Sequence, residues 1–115
     1  MARSKAMRNR LIFLVLTWCA FQYGAFAPAA ARAASHNIVM EAMAFVPPKL
    51  TVKRGDTVVW INKDLFAHTA SAGDRSFDSG EMAPDKRWSF VAGKRGTFPY
   101  VCTFHPSMTG TLVVE

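Results

Sequence analysis

Short runs in which apolar and polar residues alternate, each closed by glycine or proline, fill the chain from about residue 36 onward. Alternation of this kind marks half-buried strands. His36 to Met43 and Lys49 to Lys53 read as strands on either side of the Pro47-Pro48 break, and Thr57 to Asn62 is a β-branched and aromatic run after the turn Arg54-Gly55-Asp56. Lys86 to Val91 follows the turn Met82-Ala83-Pro84-Asp85, with Trp88 and Phe90 on one face. Thr97 to Cys102 follows Gly93-Lys94-Arg95-Gly96, and Thr109 to Glu115 closes the chain. No segment after residue 33 carries a helical period. The pattern predicts an all-β domain, a Greek-key two-sheet β-sandwich.

The first third has a different character. Arg3, Lys5, Arg8 and Arg10 form a basic start, Leu11 to Phe21 is apolar, and Ala25 to Ala34 is rich in small residues. This is the layout of a secretory signal peptide. Cleavage after Ala27 would place Pro28 first, so Ala31-Arg32-Ala33 is the better cleavage motif, giving a leader over 1–33 and a domain over 34–115. With no adjacent arginine pair before the apolar run, the general secretory route is expected, and the product is expected in the periplasm. Trp18 argues against lipidation at Cys19. The rival reading, an uncleaved anchor from Leu11 to Ala31, is interrupted by Gln22 and Pro28.

Removing the leader changes the electrostatics. Five of the 14 basic residues and none of the 8 acidic ones precede Ala34, so the remainder carries 9 minus 8, or +1. Only the pairs Lys53-Arg54, Lys86-Arg87 and Lys94-Arg95 remain, which suits solvated strand ends and excludes the basic stripe of a nucleic-acid binder. The domain is large enough for one modest core, and a monomer is expected.

Cys102 is then the only cysteine, so no intramolecular disulfide can form. An unpaired thiol in an exported protein is an intermolecular bridge, a reactive group or a metal ligand. His105 follows three residues later and Met108 three after that, with His68 far upstream. One thiolate, two imidazoles and one thioether form the His2Cys set with a weak axial Met that holds copper in blue-copper sites. Phe98, Tyr100 and Cys102 share one face of their strand, so the sulfur is expected to point inward at the strand's end. His105 and Met108 are expected in the loop leading into the last strand. His36, Met40 and Met43 show no such pattern, and Met82 reads as exposed loop filler.

Phe45-Val46-Pro47-Pro48, Val52 through Asn62, His68, and Gly96 through Cys102 with His105 and Met108 together resemble a cupredoxin of the plastocyanin and amicyanin group. Amicyanins share the same Cys-x2-His-x2-Met loop. The resemblance implies a sandwich of about 7-8 strands and one type 1 copper ion, with His68, Cys102 and His105 in a plane and Met108 as the long axial ligand. It also implies that His105 is the electron port, inside an apolar patch for which Phe66, Phe104 and Pro106 are candidates. An amine dehydrogenase as donor and a c-type cytochrome as acceptor are implied in the same way. Ala67 and Thr69 flank His68 where the family often has Pro and Asn, and Phe104 stands where amicyanins have Pro. The Thr69 hydroxyl could reach Thr103 and tie the two ligand segments. The stretch from His68 to Cys102 is shorter than in amicyanins.

Three functions compete for this ligand set. A single-electron carrier uses it as it stands. A copper-trafficking protein would use the same soft ligands, but its usual Met-rich or His-rich tracts are missing. An enzyme would need more: three histidines are too few for a multicopper oxidase, and Cys102 with His105 reads as neighbouring ligands rather than nucleophile and base.

Overall fold

The computed structural model describes residues 24–28 and 32–115. The basic and apolar parts of the leader lie outside the described residues. Among the described residues no helix is long and apolar enough to cross a membrane. Eight strands follow in order: β1 (Ser35–Glu41), β2 (Ala44–Val46), β3 (Lys49–Val52), β4 (Thr57–Asn62), β5 (Ser71–Ala72), β6 (Arg87–Val91), β7 (Gly96–Cys102) and β8 (His105–Val114). They form two sheets, β2-β1-β4-β6 and β3-β8-β7-β5. The chain changes sheet at every connection from β2 to β7, which makes the expected Greek-key sandwich. Two of the pairings, β1 with β4 and β3 with β8, are parallel.

The inward faces meet in an aromatic core. Trp60 on β4 is fully buried and lies 5.3 Å from Phe77, 5.6 Å from Trp88 and 5.6 Å from Tyr100 between ring centroids. Ring pairs of this kind contribute roughly 0.5–1.5 kcal/mol each beyond their buried area. Tyr100 needs space to lie across β8. Its register partner is Gly110, where a Cβ would come within 2.3 Å of Tyr100 Cζ. A glycine is required there because the ring occupies the place of a side chain.

Three expectations are corrected. The strand read from His36 to Met43 stops at Glu41, and Ala42 and Met43, with φ of 50° and 60°, form a two-residue turn into β2. Positive φ at both positions matches the twist of a tight hairpin, and the Met43 N–H donates to Asp64 Oδ2 at 2.9 Å to hold it. Met82 is buried, not exposed filler, because its backbone pairs with His68 in a short antiparallel bridge. His105 and Met108 belong to β8 itself, because the turn is tight enough for Cys102 to pair directly with His105.

Candidate metal centre

Two chain segments meet at one end of the sandwich. Cys102 ends β7, and the alternation that buries Phe98 and Tyr100 buries its sulfur too, leaving Cys102 fully inaccessible as its strand position predicts. A two-residue turn, Thr103-Phe104, reverses the chain into β8. The pairing then slips: Cys102 faces His105, but Val101 faces Thr109, so Pro106, Ser107 and Met108 bulge out of the ladder. A bulge of three residues breaks the strict alternation of sides. His105 keeps a partly buried ring at the tip, while Met108 turns into the core and is buried.

His68 arrives from the other segment and is held on both sides. Its N–H donates to Met82 O at 3.1 Å, and the Met82 N–H donates back at 2.8 Å. Asn62, buried at the end of β4, donates through Nδ2 to Phe66 O at 2.8 Å and to Met82 O at 2.9 Å. One amide therefore fastens both strands of backbone around His68. Asp64 fixes the ring: its Oδ2 lies 3.0 Å from His68 Nε2. A carboxylate can only accept, so Nε2 carries the proton and Nδ1 presents a bare lone pair. That hydrogen bond, with the backbone N–H groups of Met43 and Leu65, holds the Asp64 carboxyl below its ordinary range.

The freed lone pair faces the other donors. His68 Nδ1 lies 3.2 Å from His105 Nδ1, and each of these nitrogens is 3.7 Å from Cys102 Sγ. All three donor atoms fall within 4.8 Å of one another. Soft sulfur beside two imidazole nitrogens, converging in a pocket where His68 and Cys102 are wholly buried, fits a copper ion. The Thr69 N–H donates to Cys102 Sγ at 3.3 Å, a bond that would temper the charge of a thiolate there.

The Thr69 hydroxyl does reach Thr103. The two Oγ1 atoms are 3.0 Å apart, and the Thr103 N–H donates to Thr69 Oγ1 at 2.9 Å. The link continues outward: Thr69 Oγ1 lies 3.1 Å from Ser71 Oγ, which lies 3.0 Å from Asp78 Oδ1. Each hydroxyl has one proton and the carboxylate has none to give. The Ser71 hydroxyl is the donor in both of its contacts, sharing its proton between Thr69 Oγ1 and Asp78 Oδ1, and the Thr69 oxygen also accepts the N–H of Thr103. The Ser71 hydroxyl thus links the ligand turn to a surface carboxylate.

Asp64, Asn62, Ser71 and Asp78 carry no sequence signal for these jobs. Asp64 precedes His68 by four places, but outside a helix that spacing has no fixed meaning. Leu65, Phe66 and Phe104 stand exposed at the same end, with Phe66 58 % and Phe104 50 % accessible. The Phe66 ring centroid lies 6.4 Å from that of His105.

Comparison with known proteins agrees with this geometry. A cupredoxin-like domain model matches residues 10–114. Amicyanin from Paracoccus denitrificans is 36 % identical over 94 residues, which cover 76 % of this chain and 72 % of that protein. Amicyanin from Paracoccus versutus is 31 % identical over 81 residues, covering 66 % of this chain but only 61 % of that protein. Among solved structures, the copper(I) form of an amicyanin variant with alanine in place of a methionine superposes with a TM-score of 0.67 at 34 % identity, covering 78 % of this chain and 90 % of that one. Fold, donor set and relatives converge: the chain belongs to the cupredoxin-like family, whose cofactor is a type 1 copper ion.

Proposed function

We propose that this protein is a small electron carrier, exported to the periplasm, in which His68, Cys102 and His105 bind one copper ion and Met108 is its weak fourth ligand. The observation that carries the reading is the buried convergence of two Nδ1 atoms and one Sγ within 4.8 Å, drawn from two separately anchored segments. When bound, copper supplies a one-electron couple between its copper(II) and copper(I) states.

The protein's own groups do the rest. Asp64 holds the His68 tautomer, so the ring offers Nδ1 without reorienting. Asn62 and the Met82 bridge fix the backbone under His68, and the Thr69–Thr103 bonds tie it to the Cys102 turn. Donors held by packing rather than by the metal keep one arrangement through a change of charge, so little has to rearrange. Full burial of His68 and Cys102 keeps water from the donors. The partly exposed His105 ring, beside Phe66 and next in the chain to Phe104, is the contact through which the electron enters and leaves. Redox proteins with a small apolar docking face are the partners this suits, an amine dehydrogenase and a c-type cytochrome among them, with the protein acting as a monomer.

The test is a spectrum of the purified protein with copper(II) added. Intense visible absorption from sulfur-to-copper charge transfer, bleached by reductant, restored by oxidant and lost in Cys102→Ser, is expected. A colourless protein that takes up only copper(I) would overturn the carrier reading in favour of copper trafficking.

A further inference from the structure

Asp56 sits at the opposite end of β4 from the metal centre, beside the first residue of that strand. Its residue is 6 % exposed. Three groups reach its carboxylate: the Lys53 N–H at 3.0 Å and His36 Nε2 at 2.9 Å on Oδ2, and the Ala34 N–H at 2.9 Å on Oδ1. Among the described residues no lysine or arginine pairs with it, and imidazole is its one ionisable partner. Buried carboxylates are normally matched by a cation. Here the place next to Oδ1 is taken by a backbone nitrogen.

That nitrogen marks a boundary. Ala34 is fastened at both ends of its peptide, since its carbonyl also accepts the Thr57 N–H at 2.9 Å. Arg32 and Ala33 are exposed and make no hydrogen bond among the described residues. The sandwich's hold on the chain begins at Ala34. Immediately before it stands Ala31-Arg32-Ala33, with small residues at the two places a leader peptidase reads.

We infer that the mature chain begins at Ala34 and that the α-ammonium group released by cleavage forms an ion pair with the buried Asp56 carboxylate. The peptidase adds one water across the Ala33–Ala34 bond: the carboxylate stays on Ala33 and leaves with the leader, and the amine stays on Ala34 and takes up a proton near neutral pH. In the uncut chain the same nitrogen is a neutral amide with one proton to give. Cleavage turns a bond that is ionised only at its acceptor into an ion pair ionised on both sides, at the position the nitrogen already holds. Leader removal thus completes the anchoring of β1. The inference does not depend on copper, whose site lies at the other end of the strand.

The test begins with the full chain exported from a bacterial host under its own leader. The intact mass of the purified product is expected to correspond to Ala34–Glu115, and a product starting at any other residue overturns the inference. Its thermal midpoint is then compared with that of a chain processed to begin at Ala33, in which the Ala34 nitrogen is an amide. The Ala33 form is expected to melt lower, with the gap closing when both carry Asp56→Asn. Equal midpoints for the two unmutated forms overturn the pairing, and that comparison decides alone if Asp56→Asn does not accumulate. The visible copper band is expected to be the same in both forms.

Discussion

At the scale of single residues, the substitution of Thr69 for the family's frequent Asn does not leave the ligand segments untied. A threonine hydroxyl is shorter than an amide and has a single proton to give, so its position has to be held by neighbouring donors. The Ser71 hydroxyl, which also reaches Asp78, donates to the Thr69 oxygen, and the same oxygen accepts the Thr103 N–H and lies 3.0 Å from the Thr103 hydroxyl. Removing the Ser71 hydroxyl takes away a donor to Thr69 Oγ1 and loosens the hold of that hydroxyl on Thr103. Ser71→Ala is expected to lower stability by about 0.5–1.5 kcal/mol, the usual worth of one such bond. A purely structural loss would stop there. Because Thr69 also donates its N–H to Cys102 Sγ, Ser71→Ala is further expected to shift the reduction potential and the sulfur-to-copper absorption maximum, and Ser71→Thr to restore both. Unchanged potential and colour in Ser71→Ala would show that the Thr69–Thr103 contact is set without Ser71.

At the scale of elements, the start of β1 depends on Asp56, which collects bonds from Ala34, His36 and Lys53 across the turn between β3 and β4. The Ala34 bond first, then His36, then Lys53, bring its carboxyl from 3.8 down to about 2. A carboxyl depressed on folding stabilises the folded state above its unfolded value and loses that contribution as pH falls through the folded one. The advantage of the unaltered protein over Asp56→Asn is therefore expected to be complete above about pH 4 and gone by about pH 2. Urea titrations at a series of pH values, on the copper-free protein, check this; a difference independent of pH would contradict it. Longer elements such as β4 and β7 were legible from the sequence because Thr57 to Asn62 is a continuous β-branched and aromatic run and period-two burial is written into Thr97 to Cys102. The β1–β2 turn was not, since Ala42 and Met43 adopt positive φ without the Gly or Asn that usually announces it. Two-residue β5 is too short for any period. The ligand set was legible through spacing and residue type, but the bulge that aims His105 and Met108 is a property of the β7–β8 pairing, not of either strand alone.

At the scale of the whole molecule, the fold separates its two polar centres. The Asp56 cluster, with His36, fastens the start of the sandwich, and His68, Cys102 and His105 lie at the other end of β4, so a change at the start of β1 leaves those three donors untouched. The surface at the metal end is apolar where it projects most: Leu65 is 87 % exposed, Phe66 stands beside the His105 ring, and Phe104 is exposed in the turn before it. Of the charges near it, Lys63 and Asp85 are paired at 3.4 Å, and the Asp64 carboxylate is turned inward onto His68. With side-chain charges of 9 minus 8 beyond residue 33, the molecule presents almost no net field to a partner. Strong fields raise association rates about 10- to 1,000-fold, and salt removes that gain. Neither applies here, so collision and a small apolar contact set the rate. Mixing the copper(II)-loaded protein with a small reduced c-type cytochrome in a stopped-flow instrument is expected to give a second-order rate constant that changes by less than about threefold between low ionic strength and 0.5 M salt. Phe66→Ser and Phe104→Ser are each expected to slow that reaction at every salt concentration, because they remove the contact and leave the field as it was. A steep fall with salt would mean that a local charge cluster, not the apolar rim of His105, guides the encounter.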